Sequence, residues 1–135
     1  MNKKNYRIIP ITKPIDGKEL LDNVVIYLYS RLKECQIETN INENIYTILV
    51  SSTSKRKQGK LAYITIEIIL HSDSCSVSFT SSKDRPRFNF ALAIVAIPVS
   101  SLLSGMLAGT GLLRLWNLHA FKKDVIKYIE TYVFH

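Results

Sequence analysis

Cysteine is scarce in this chain: there are 2 among 135 residues, Cys35 and Cys75, with no C-x-x-C pair and no histidine at ligand spacing. That excludes a disulfide scaffold and a four-thiolate zinc site, and leaves both thiols as small buried apolar groups. Glycine and proline are also sparse, with 5 and 4 copies. The glycines form no G-x-G-x-x-G, P-loop or G-x-S-x-G pattern, and Gly109-Thr110-Gly111 lacks the following lysine that phosphate chemistry uses. His71, His119 and His135 have no acidic or cysteine neighbour at metal or acid–base spacing, and His71 with Asp73 reads as a turn pair. No cofactor, metal centre or enzymatic activity is therefore expected, and no period of 20–50 residues or low-complexity tract is present.

What is there is one small domain's worth of apolar sequence. Hydrophobic residues make up 47% and charged residues 21%, and mean hydropathy is +0.07, which excludes a disordered tail. Lys and Arg number 18 against 11 Asp and Glu, a net charge of +7, so an anionic partner is indicated. The start, MNKKNYRIIP, is basic but carries too short an apolar stretch for a signal peptide, so a cytosolic location of the first part is expected. The Ile, Lys and Asn content fits a bacterial source with an AT-rich genome.

Local patterns place the elements. NYRIIPIT has strand-forming residues, but Pro10 confines it to a sheet edge. Asp16 with Glu19 forms a capping box and Ile15 with Leu20 a hydrophobic staple, so a helix is predicted from Asp16. Leu20, Leu21, Val24, Val25, Leu28, Leu32 and Cys35 continue at helical spacing, predicting an end near Cys35 or Gln36. Alternating strands follow around the turn Asn42-Glu43-Asn44, where Asn supplies tolerance of left-handed angles, and then over KLAYITIEIILH and CSVSFTS. The fold class predicted is α+β: an N-terminal helix packed on a small antiparallel meander of three to five strands. At the far end, Asn117 is placed to cap an amphipathic helix with Phe121, Val125, Ile129 and Val133 at i+4 spacing.

Between these parts runs FNFALAIVAIPVSSLLSGMLAGTGLL, residues 88–113, without one Asp, Glu, Lys, Arg or His. A continuous helix of that length would reach roughly 39 Å, beyond the ~30 Å of a hydrocarbon core, which meets the length criterion for a transmembrane helix. Small residues recur in two rows, Ala96/Ser100/Ser104/Ala108 and Ser101/Gly105/Gly109, a pattern that lets helices approach closely and makes a homo-oligomer an expectation. Trp116 beside Arg114 has the composition of an interfacial anchor. Pro98, three glycines and basic residues on both sides favour a re-entrant hairpin over a single span. The division expected is a cytosolic α+β domain over 1–87, a membrane-inserted helical segment over 88–118 and the amphipathic helix over 119–135.

Antiparallel strand order also brings two basic clusters to one end of the sheet: Lys55, Arg56, Lys57 and Lys60 from one connection, and Lys83, Arg85 and Arg87 after a later strand. Next to an apolar segment, such a cluster suits anionic lipid head groups. The reading that follows is a non-catalytic, membrane-associated interaction or regulatory module. The alternative is a soluble, cytoplasmic α+β domain that buries 88–113 as a helical hairpin and binds an anionic ligand or nucleic acid through its basic loops. No RNP, GXXG or zinc-finger signature supports nucleic acid.

Overall fold

The computed structural model describes residues 6–32, 35–52, 63–82, 84–87, 91–92 and 118–134. The elements are β1 (Tyr6–Pro10), α1 (Gly17–Arg31), β2 (Cys35–Asn42), β3 (Ile45–Ser52), β4 (Tyr63–Leu70), β5 (Ser74–Ser82), β6 (Ala91–Leu92) and α2 (Leu118–Phe134). All pairings are antiparallel, in the order β1-β5-β4-β3-β2-β6. β2 to β5 form the meander that alternation indicates, β1 adds to its far edge, and β6 adds to its near edge. The class is α+β, as the sequence implies.

α1 begins where its cap dictates: the Asp16 carboxylate accepts from the Lys18 and Glu19 amides at 3.0 and 3.4 Å. It ends earlier than the apolar spacing implies. Leu32 is already extended (φ −101, ψ 138), and Cys35 lies in β2 opposite Ser52. Eight cross-strand pairs with β3 outweigh one more helical turn, because Leu32 and Cys35 fit a core from either conformation. The β2–β3 turn holds a second difference: the residue with positive φ is Glu43 (55°), and neither asparagine. Asn44 instead secures the turn through its side chain, which donates to the Leu70 carbonyl at 2.9 Å.

One face of the sheet makes the core. Ile9, Ile37, Ile48, Val50, Ile64, Ile66, Ile68, Cys75, Val77 and Phe79 point to it and are buried. Both helices cover this face. α1 contributes Leu20, Leu21, Val24, Val25 and Leu28, and α2 contributes the whole i+4 stripe of Phe121, Val125, Ile129 and Val133, each fully buried. The helices run antiparallel, with Tyr27 of α1 stacked on Tyr128 of α2 at 4.3 Å. Gly17 allows the start of α1 to sit against the Tyr46 ring, where a β-carbon would collide with the phenol. The start of α2 rests on β5 through an edge-to-face contact of Phe121 with Phe79 at 6.2 Å and 83°.

The expectation of a transmembrane helix over 88–113 is corrected. Ala91 and Leu92, inside that run, are extended and pair with Thr39 and Glu38. Among the described residues no helix is long and apolar enough to cross a membrane. The physical reason is local: β2 has a free edge there, and its unpaired backbone groups recruit the start of the run as a strand. The helix-packing rows, Ala96, Ser100, Ser101, Ser104, Gly105, Ala108 and Gly109, lie outside the described residues.

Candidate functional site

Register decides which loops meet. Ser51 pairs with Tyr63 and Tyr63 with Ser82, while Cys35 pairs with Ser52. The start of β2, the end of β3, the start of β4 and the end of β5 therefore share one end of the sheet, here the proximal end. The connection carrying Lys55, Arg56, Lys57 and Lys60 begins and ends there. Those four residues and Lys83 lie outside the described residues. The sequence-derived convergence thus has its strand ends in place, and two of its cations can be located directly.

These two differ. Arg85 places its guanidinium 2.5 Å from Glu38, whose carboxylate also accepts from the Gln36 amide at 3.2 Å. Glu38 alternates with the core residue Ile37, so it lies on the face opposite the helices, and it is 9% exposed. Arg85 therefore neutralises a buried carboxylate and is committed within the fold. Arg87 is exposed, and among the described residues it has no acidic partner. Sequence reasoning gives both arginines the same role; the ion pair with Glu38, 47 residues away in the chain, separates them.

The elements that flank the uncharged run are oriented along this axis. β2 runs away from the proximal end and β6 is antiparallel to it, so β6 points toward that end as it reaches Leu92 opposite Glu38. α2 runs the other way: Phe121, in its first turns, lies on Phe79, which shares the middle row of the sheet with Ile66 and Ile48, and Tyr132, near its end, lies by Glu19 and Asp16 at the start of α1.

The sheet face away from the helices is largely polar. One row across it is Asn40, Thr47, Glu67 and Ser78, and the next is Glu38, Leu49, Thr65 and Thr80. Leu49 is fully buried there, while Thr47, Glu67, Thr65 and Ser78 are half-buried and Thr80 is exposed.

No protein-family model, curated protein or solved structure matches this chain. The site therefore has to be read from its own chemistry. Cys35, at the proximal end, has its thiol pushed up to about 11 by burial, so it is neutral and unreactive near pH 7. Burial likewise raises the Tyr29 hydroxyl, which donates to the Ile37 carbonyl at 3.3 Å. Among the described residues no three His, Cys, Asp or Glu side chains are grouped to hold a metal ion. What the described residues offer at this end is four strand ends, from which the connections bearing the basic clusters start.

Proposed function

We propose that the protein is a non-catalytic interaction module that rests on anionic membrane surfaces by the proximal end of its sheet. The observation that carries this reading is one of direction: β6 points toward, and α2 away from, the end of the sheet at which the connections with the basic clusters begin. Lys55, Arg56, Lys57, Lys60, Lys83 and Arg87 each contribute on the order of 1 kcal/mol near an anionic surface, while Arg85 is held back by Glu38.

The experiment is flotation of the full-length protein with vesicles of phosphatidylcholine alone or with added phosphatidylglycerol. Stronger, salt-sensitive binding to the anionic vesicles is expected. Reversing Lys55, Arg56 and Lys57 to Glu removes at least three such contributions and weakens that binding roughly a hundredfold, toward the neutral-vesicle level. Equal binding to both vesicle types, or none to either, refutes the reading.

A further inference from the structure

The distal end, farthest from the proposed lipid contact, carries a half-open cavity of about 360 Å³ between the β1–α1 connection and the β4–β5 turn. That is within the size range of small-molecule sites. Its floor is apolar: Ile11, Ile15 and Leu70 are partly buried and packed on the core. Its rim consists of Thr12, Lys13, His71 and Ser72, so no carboxylate lines it. The acids that neighbour the lining in sequence lie outside it. Asp16 is engaged in capping α1, and Asp73 lies outside the lining. Among the described residues Lys13 has no acidic partner.

The walls are also fixed in place. Ile11 N donates to Asp73 O at 2.9 Å, and His71 N donates to Ser74 O at 2.8 Å. Leu70 and Asn44 exchange two further bonds, Leu70 N to Asn44 O at 3.0 Å and Asn44 Nδ2 to Leu70 O at 2.9 Å. A cavity braced in this way loses little entropy on filling. An apolar floor under a rim with one unpaired ammonium and two hydroxyls matches a molecule with a short hydrocarbon body and a single negative head.

We propose that this cavity binds a small aliphatic carboxylate, its body on Ile11, Ile15 and Leu70 and its head on Lys13, with Thr12 and Ser72 donating. The site is independent of the lipid contact, because the two lie at opposite ends of the sheet.

The test uses full-length protein labelled with ¹⁵N and three probes: hexanoate, hexan-1-ol and acetate. Hexanoate is expected to give saturable amide shifts at residues 12, 13, 71 and 72. Hexan-1-ol, which lacks the charge, and acetate, which lacks the body, are expected to bind at least tenfold more weakly. Lys13→Gln should weaken hexanoate about tenfold and leave the response to hexan-1-ol and the binding to anionic vesicles unchanged. Leu70→Asn, on the floor, should weaken hexanoate and hexan-1-ol together. Absence of saturable shifts, equal binding of hexanoate and hexan-1-ol, or indifference to Lys13→Gln overturns the proposal. None of these outcomes bears on the lipid reading, whose own test is flotation.

Discussion

Replacing Phe121 with Ala should be among the most damaging single changes in the molecule. The ring is fully buried, and it seats the first turn of α2 on β5 through its edge-to-face contact with Phe79. Large-to-small changes at such sites cost ~3–5 kcal/mol, transfer and cavity contributions together. About 0.5–1.5 kcal/mol of that belongs to the ring pair itself. Domains of this size have roughly 5–15 kcal/mol in total, so about a fifth of the stability or more is at stake. Urea unfolding of the full-length protein, followed by circular dichroism, measures the loss. A double-mutant cycle with Phe79→Leu isolates the pair, with an expected coupling of about 1 kcal/mol. The result also bears on function, because α2 keeps its direction away from the proximal end only if Phe121 is seated on Phe79. A loss below about 1 kcal/mol with no coupling would mean that α2 is not docked on β5, and the direction assigned to it would fall as well.

Two other outcomes follow from packing and burial. Gly17→Ala adds a methyl that collides with the Tyr46 phenol, so it should destabilise by about 1–3 kcal/mol despite the better helix propensity of Ala; truncation at Tyr46 in the double variant should recover part of the loss, and additive losses would contradict the collision. Burial pushes the Cys75 thiol up to about 11 from 9.0 and the Tyr128 hydroxyl up to about 12 from 10.0. Each group stays protonated in the fold while the unfolded chain has already released its proton. Their contribution is therefore complete below pH 9 and is lost as pH rises through 11 and 12. Unfolding midpoints measured from pH 8 to 11 should fall, and Cys75→Ala should flatten the fall; a curve as steep as that of the parent would contradict the assignment.

Much of the architecture was legible because local and tertiary preferences agree. Asp16 and Glu19 start α1 where the chain does, and the alternation in β4 and β5 separates Ile64, Ile66, Ile68, Val77 and Phe79 from their polar neighbours as burial does. The stripe from Phe121 to Val133 was legible for the same reason. Where a residue suits two states, the pattern misleads. Leu32 and Cys35 fit a helix or a strand, and strand pairing decides. Ala91 and Leu92 read as membrane helix by composition, but an open edge on β2 takes them as a strand. The convergence of the basic connections could be inferred from strand order alone. The engagement of Arg85 by Glu38 could not, since it joins positions 47 residues apart across the sheet. The distal cavity has no linear signal either, because its lining comes from two segments far apart in the chain.

The stance of the domain on lipid can be measured most directly with one fluorescent label placed either at residue 82, at the proximal end of β5, or at residue 44, in the distal β2–β3 turn. With the protein on anionic vesicles, the label at 82 should be quenched by a lipid-embedded quencher and protected from an aqueous one, and the label at 44 should behave in the opposite way. Equal exposure of both labels to the aqueous quencher, or a label at 44 nearer the lipid than the one at 82, would contradict docking by the basic end.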